Sequence, residues 1–273
     1  MDEFNEKTSF DKRIVRYEHI HNVKQEYFQE LIKLLHLKDG DKVLDLGCGY
    51  GSISREILKA QIPNLNLVLT DNSSVQLERA KAELKDYDFK EKKTTLTYLN
   101  DNIVNTNLES NSFNCIIAKM VLHEIPKEKQ PITLSNIYNL LKDNGKVVIW
   151  DLFLDEELKP VISKIIMKKD SLAGYDTFIR NRNFLTKNKI FDLLNGAGFK
   201  NIKISYSMKT RIYTDRRLEM EFKGDVKKLN DWKEYIRNII PALSKENKAK
   251  LDFKEIDSGL SFLFPKKIIT AHK

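Results

Sequence analysis

Five short apolar runs, each followed by a stretch with helical spacing, predict an α/β fold: a mostly parallel, doubly wound sheet with helices on both faces. Two further observations support this fold class. The first apolar run enters a glycine-rich turn, KVLDLGCGYG at residues 42–51, which opens an amphipathic segment, SISREILKA. Acids close the next two runs, Asp71 and Asp101, at the strand ends where such sheets bind their ligands.

The elements follow in order. Between Asp11 and Leu37, residues Ile20, Val23, Tyr27, Leu31 and Leu34 recur every three or four positions, so this part reads as helix with one buried face. KDGDK, residues 38–42, turns it into the first strand, where Val43, Leu44 and Leu46 are apolar. Gly47, Gly49 and Gly51 let a ligand approach the main chain at the N-terminus of the next helix. Pro63 and Asn64 mark a turn, and Leu65 to Asn72 reads as the second strand. Ser73 or Ser74 caps a helix carrying Val75, Leu77, Ala80 and Leu84. The third strand runs from Thr95 to Asn102 and ends in the acid Asp101, although NDN is also a common turn composition.

Strand four, Phe113 to Met120, has no charge before Lys119 and reads as buried on both faces. VLHEIP follows, then a helix from Pro126 to about Lys142, which Asp143, Asn144 and Gly145 stop before strand five, Lys146 to Phe153. Residues 154–186 break the rhythm. Leu158, Val161, Ile162, Ile165 and Ile166 form a helical stripe, and the part from Ser171 to Leu185 is rich in aromatic and polar residues, including Tyr175, Phe178 and Arg182. This insertion is read either as a lid over an acceptor site or as an extension of the core. A helix from Thr186 to Asn195 and a strand from Phe199 to Met208 resume the core. Leu260 to Lys273 is the best last strand, with Pro265 at a bulge or an edge. Residues 209–259 are then a second insertion, in which RRLEMEF reads as strand and Leu229, Trp232, Ile236, Ile239 and Ile240 as a helical stripe. It is either a second cap element or an oligomer contact.

The 273 residues suffice for one well-buried core, and 41% hydrophobic with 32% charged residues is the composition of a folded soluble protein. No apolar run nears the ~18 residues of a membrane span. The acidic start MDEFNEKTSF is unlike a signal peptide, and Cys48 and Cys115 are far apart, so a cytoplasmic protein without structural disulfides is expected. The net charge of +8 admits a nucleic-acid partner, but lysines mixed with Glu and Asp read first as a solvated surface. No His, Cys and carboxylate group has metal-ligand spacing.

In a dinucleotide fingerprint the glycines follow Gly-x-Gly-x-x-Gly, whereas here Ser52 stands where the third is wanted and Asp45 precedes the first. A carboxylate there suits a cationic group better than a phosphate. Asp45, Gly47, Gly49 and Gly51 resemble the first motif, acid-x-Gly-x-Gly-x-Gly, of the class I S-adenosylmethionine-dependent methyltransferases, of small-molecule type. That resemblance covers roughly Asp41 to Met208 plus the last strand. It implies a seven-stranded Rossmann-like methyltransferase fold, with the last strand antiparallel, N-terminal helices and helical cap insertions. The implied division is residues 1–40 closing over the cofactor, a core of 41–208 and 260–273, and insertions at 154–186 and 209–259.

It further implies S-adenosyl-L-methionine as cofactor, with S-adenosyl-L-homocysteine as product. Asp71 accepts the ribose hydroxyls, Asp101 the adenine amine, and Ile103 packs on the ring with Asn102 beside it. Cys48, Asn72, Gln76, Lys119 and Met120 complete the expected cofactor contacts. Tyr17, with Arg16 and His19 beside it, is the aromatic expected to close the pocket, or else a ring at the edge of the core. The segment VLHEIP resembles the stretch bordering the acceptor in small-molecule methyltransferases. The Asn/Asp-Pro-Pro-aromatic tetrad of amino-group methylation on nucleobases is missing.

Methyl transfer needs in-line positioning in a dry pocket and, for some acceptors, removal of a proton. His123, with an ordinary pKa near ~6.5, is the expected base, a steric wall or a hydrogen-bond donor; Tyr17, Glu124 and Tyr175 are lesser bases. His123, Glu124, Tyr175, Phe178 and Arg182 are the expected substrate contacts. The expected acceptor is a small metabolite or natural product, methylated on O, N or C. The alternatives are RNA or protein, or a non-catalytic protein that binds the cofactor, and the chain is expected to be a monomer or homodimer.

Overall fold

A computed structural model of the chain describes residues 23–87 and 92–273. The fold begins with α1 (Gln25–Leu35), β1 (Lys42–Leu46), α2 (Ser52–Lys59), β2 (Asn66–Asp71), α3 (Ser74–Leu84), β3 (Thr95–Asn100), β4 (Phe113–Lys119), α4 (Gln130–Leu140) and β5 (Leu141–Leu154). It continues through α5 (Lys159–Ala173), α6 (Asp176–Asn181), β6 (Leu185–Thr186), α7 (Lys187–Gly196) and β7 (Lys200–Tyr213). The chain closes with α8 (Arg217–Met220), α9 (Val226–Ile239), α10 (Lys245–Leu251), β8 (Lys254–Ile256) and β9 (Gly259–His272).

Seven strands form the sheet in the order β3, β2, β1, β4, β5, β9, β7, with β6 paired to β5 and β8 to β9 off that path. The first five are parallel, and β9 runs antiparallel between β5 and β7. This is the mixed, doubly wound sheet that the alternating pattern predicts. Its central strands are apolar on both sides because both sides are covered. Leu44, Ile116 and Val147 face a core with Leu134 and Ile137 of α4 and Ile190 and Leu194 of α7. Their neighbours Val43, Ile117 and Val148 face the other core with Leu31, Ile53, Ile57 and Leu77 of α1, α2 and α3.

Three local readings are corrected. The fourth helix stops at Leu140, and β5 begins at Leu141, because Leu141 pairs with Phe113 ahead of an irregularity that lets Asp143 and Asn144 bulge outward. RRLEMEF is not a strand: α8 occupies Arg217–Met220, and the Arg217 guanidinium reaches Glu221 four residues on. The seventh strand extends to Tyr213, since β9 keeps pairing with it from Lys200 to Tyr213. Pro265 sits beyond Lys266, the last β9 residue paired to β5, and so at an edge on that side.

The segments expected as insertions share one core. Ile162, Ile165 and Ile166 of α5 pack with Leu229, Trp232 and Ile236 of α9 and with Ile212, Phe262 and Phe264 of the extended β7–β9 pair. The Trp232 indole N–H donates to the carbonyl of Ile165 at 2.9 Å, fastening the second insertion to the first. Among the described residues, no helix is long and apolar enough to cross a membrane.

Candidate active site

The glycine turn is built by its backbone. Gly47, Gly49 and Gly51 have φ of 63°, 55° and 78°, in the left-handed region that side chains resist. A Cβ on Gly47 would meet Val121 at 2.6 Å, while one on Gly49 would meet nothing within 4 Å. The turn is therefore packed beneath Gly47 and open above Gly49. At the end of β2, Asp71 Oδ2 accepts the Gly49 N–H at 2.9 Å and Oδ1 the Ser73 N–H at 2.9 Å, so its carboxylate is fixed beside the turn. Ser73 in turn caps α3 by accepting the Gln76 N–H.

Two cavities meet over this turn. One, of about 130 Å³, lies across the ends of β1 to β4 and is lined by Asn72, Asp101, Asn102, Ile103 and, from α6, Phe178. Asp101 accepts the Thr106 hydroxyl at 2.5 Å, and Asn102 accepts the Val104 N–H. The other, of about 200 Å³, starts at Cys48, Gly49, Tyr50, Gln76 and Lys119 and runs under the insertions to Ile166, Phe184, Ile212, Trp232, Phe262 and Phe264. Gly47, Asp71, Met120 and Glu124 line both. Met120 itself is held at φ 59°, with its N–H donating to the Trp150 carbonyl at 2.7 Å. Such backbone in a non-glycine residue is strained by roughly 1–3 kcal/mol and concentrates at functional sites.

A chain of alternating charges borders the second cavity. Asp151 Oδ1 is 2.6 Å from His123 Nδ1, and His123 Nε2 is 3.2 Å from Glu124 Oε1. Glu124 takes two N–H groups of Arg182, whose third contact is Asp170. Lys169 joins Asp170 to Glu221, at 2.6 Å from each, and Arg217 completes the row 3.0 Å from Glu221. The side chains are no more than 9% exposed, and they connect β5 and the segment after β4 to both insertions. Burial alone would push the Glu124 carboxyl up, but Arg182 and His123 pull it well below its ordinary value. Burial likewise opposes the charge on His123, and Asp151 and Glu124 outweigh it, lifting the pKa to about 9.

Each ring nitrogen of His123 faces a carboxylate, an arrangement that favours the imidazolium and suits a hydrogen-bond donor or a wall better than a base. The imidazolium also stacks on Phe184, with centroids 5.3 Å apart. Tyr175, another expected contact, lines neither cavity and instead packs against Phe178. Phe178 borders the first cavity, not the one beneath the second insertion, and Arg182 borders the latter.

Asp45 lines neither of these cavities. It is 1% exposed and its Oδ2 accepts both the N–H and the hydroxyl of Ser54, at 3.1 and 2.7 Å, which ties β1 to the first turn of α2. Burial pushes its carboxyl up to about 6, against the hydrogen bonds from Ser54 and the charge of Lys119. Gly51 also lines neither cavity; a Cβ there would meet Leu84 at 3.1 Å. Lys119 Nζ donates to Ser52 Oγ at 3.1 Å, and Cys48 is a neutral thiol because burial lifts its pKa well above the ordinary value. Tyr17, Arg16 and His19 lie outside the described residues.

Some wall residues carry no motif. Tyr50 lies between two turn glycines, is 8% exposed, and its buried hydroxyl has no hydrogen-bond partner among the described residues. Asp151 had one visible signal, a lone acid in the apolar run KVVIWDLF. Lys169, Asp170, Arg217 and Glu221 had none, being drawn together only by the packing of the insertions.

Against known proteins, a family model described as a methyltransferase domain matches residues 37–238, and the chain belongs to that family. Sterol 24-C-methyltransferase ERG6A of Gibberella zeae is 30% identical over 158 residues, 56% of this chain and 36% of the relative. The chain thus spans little more than a third of that relative's length. The tRNA N(3)-methylcytidine methyltransferase trm141 of Schizosaccharomyces pombe is 27% identical over 187 residues, 66% of this chain and 72% of the relative. The solved structure of the YcgJ protein from Bacillus subtilis superposes with a TM-score of 0.71 at 13% identity, covering 92% of this chain and 99% of that one, a likeness of fold. Family and fold together support S-adenosylmethionine as cofactor and S-adenosylhomocysteine as its product. The site fits such a group: the space above Gly49 is open, a fixed carboxylate stands at the end of β2, and the buried Tyr50 hydroxyl has no protein partner among the described residues.

Proposed function

We propose that the chain transfers the methyl group of S-adenosylmethionine to a small molecule with an apolar body. The observation that carries this reading is the second cavity, which leads from the glycine turn into a compartment walled by aromatic and aliphatic side chains such as Ile166, Phe184, Trp232 and Phe262, with the ion-paired Lys169, Arg182 and Arg217 at its border. Such walls suit a desolvated small acceptor; a nucleic-acid strand calls for an open basic groove. In this reading the nucleoside lies in the first cavity, with Asp71 at the ribose and Asp101, Asn102 and Ile103 at the base. The methionine part lies over Gly47 to Tyr50, and Met120 and Glu124 border the sulfonium. Asp45 positions the turn through Ser54 and does not touch the ligand.

RNA is the second reading, favoured by the net charge of +8 and by the likeness to a tRNA methyltransferase. The deciding experiment offers methyl-labelled cofactor with a metabolite extract and, separately, with total RNA. Label in the low-mass fraction supports the proposal, and label confined to RNA overturns it. Calorimetry with S-adenosylhomocysteine and with NAD tests the cofactor half, since binding of NAD alone would remove it.

A further inference from the structure

The charged row beside the acceptor compartment presents its two signs unequally to the cavity. This inference rests on the small-molecule reading above. The row has an acid for every base, yet His123, Arg182, Lys169 and Arg217 all line the second cavity, whereas of its acids only Glu124 does. Asp151, Asp170 and Glu221 line neither cavity and are each 1% exposed, so they hold the bases from outside the lining. Glu124 is itself paired with Arg182 and His123. On the cofactor side, Lys119 and Asp71 add one charge of each sign.

The pairing also leaves donors over. A guanidinium has five N–H groups, and Arg182 engages three of them, with both oxygens of Glu124 and with Asp170. An ammonium has three, and Lys169 has two carboxylate partners, Asp170 and Glu221. Both cations meet at Asp170, and their side chains are only 4% and 6% exposed. Buried charged donors without an acceptor are destabilising. The neighbouring walls supply none: Ile166, Ile212, Phe262 and Phe264 have apolar side chains, and the Trp232 indole N–H is engaged with the Ile165 carbonyl. A ligand oxygen entering the cavity meets these N–H groups, and a negatively charged one is attracted by the bases of the lining as well.

We propose that the acceptor molecule carries a carboxylate seated against Lys169 and Arg182, with its apolar body against Phe184, Trp232, Phe262 and Phe264. Lys169 and Arg182 are assigned here as specificity residues for that acid group. A carboxylate, with two oxygens and one charge, fits the few remaining donors and the apolar walls better than a phosphate, whose charge approaches −2 and whose three oxygens all need partners.

Probe molecules stand in for the natural acceptor in the test. The wild-type protein, saturated with S-adenosylhomocysteine so that the place of the cofactor's own carboxylate is filled, is titrated by calorimetry with 2-naphthoate, 2-naphthamide and 2-naphthamidine, one shape with negative, no and positive charge. The acid is expected to bind at least tenfold tighter than the amide, and the amidine weakest. Lys169→Gln is expected to shrink the acid-to-amide ratio about tenfold while S-adenosylhomocysteine affinity holds, a change of selectivity that a merely structural role would not produce. If that variant fails to fold, the wild-type series decides alone. The amide binding as tightly as the acid, no member binding, or 2-naphthyl phosphate binding in place of the acid overturns the carboxylate assignment. In parallel, a metabolite extract is split on an anion exchanger before reaction with methyl-labelled cofactor, beside total RNA. Label is expected in the retained low-mass fraction. Label in the unretained fraction alone overturns the acid while leaving a small-molecule enzyme standing, and label in RNA alone removes the small-molecule reading itself.

Discussion

Arg182 clasps both carboxylate oxygens of Glu124, Nε to Oε2 at 3.1 Å and Nη2 to Oε1 at 2.5 Å. Glu124 borders both cavities, while Arg182 belongs to the first insertion and stacks on Phe178, 5.0 Å from its ring centre. One guanidinium thus connects Glu124, on the border of both cavities, to Asp170 of α5 and Phe178 of α6. Its planar fork matters, since a lysine can neutralise Glu124 but cannot hold both oxygens.

Arg182→Ala leaves Glu124 and Asp170 buried beside the gap, so it is expected to cost about 3–5 kcal/mol of stability. Arg182→Lys is expected to restore much of that in urea unfolding, while its kcat stays well below wild type because Glu124 is no longer oriented. Equal recovery of stability and kcat in the lysine variant would argue against a positioning role.

The imidazolium of His123 makes a pH prediction with a definite sign. Its pKa rises on folding from 6.5 to about 9, so the stabilisation is complete below about pH 6.5 and is lost as pH rises through about 9. The shift corresponds to about 3 kcal/mol. Subtracting the unfolding free energies of His123→Asn from those of wild type between pH 6 and 10 should reveal that loss. Activity, in turn, should show no rise through pH 6–7 attributable to His123 losing a proton.

How far the sequence reveals this protein depends on the distance over which each feature is encoded. The strands β1 to β5 are legible because residues such as Val43 and Leu44 must both be apolar when each faces a different core. The start of β5 is not, because Asp143, Asn144 and Gly145 have turn chemistry and only the pairing of Leu141 with Phe113 extends the strand past them. The acids Asp71 and Asp101 are visible for the same local reason, since they close β2 and β3, and the structure places both on the first cavity. The charged row is not: Arg182 and Glu124 are 58 residues apart, and Asp170 and Glu221 share Lys169 only after two insertions pack. His123 illustrates the cost. Its position was legible, but its protonation state is set by Asp151, 28 residues away.

The two turn glycines should respond differently to the same substitution. Gly47→Ala adds a clash at 2.6 Å with Val121 to an unfavourable φ, so a stability loss above ~1–3 kcal/mol is expected. Gly49→Ala meets no neighbour and pays only the backbone cost, about 1 kcal/mol. Its methyl group instead projects into the open space above the turn. S-adenosylhomocysteine should therefore raise the melting temperature of Gly49→Ala far less than that of wild type, a contrast readable by thermal unfolding with and without the ligand.

Cofactor affinity should fall in a graded way along the wall of the turn. Asp71→Ala removes a carboxylate that braces the Gly49 and Ser73 N–H groups and stands where ribose hydroxyls would be accepted. Charged hydrogen bonds of that kind are worth about 1.5–3 kcal/mol each, so affinity should drop at least tenfold. Tyr50→Phe deletes only a buried hydroxyl that has no protein partner among the described residues. The free protein should be as stable as wild type or slightly more so, because an unsatisfied buried group is removed. If the hydroxyl binds the ligand, calorimetry will show a loss of about 0.5–1.5 kcal/mol in S-adenosylhomocysteine binding. An unchanged affinity together with raised stability would assign Tyr50 to the acceptor half of the cavity, which a change in acceptor KM at constant kcat would then register.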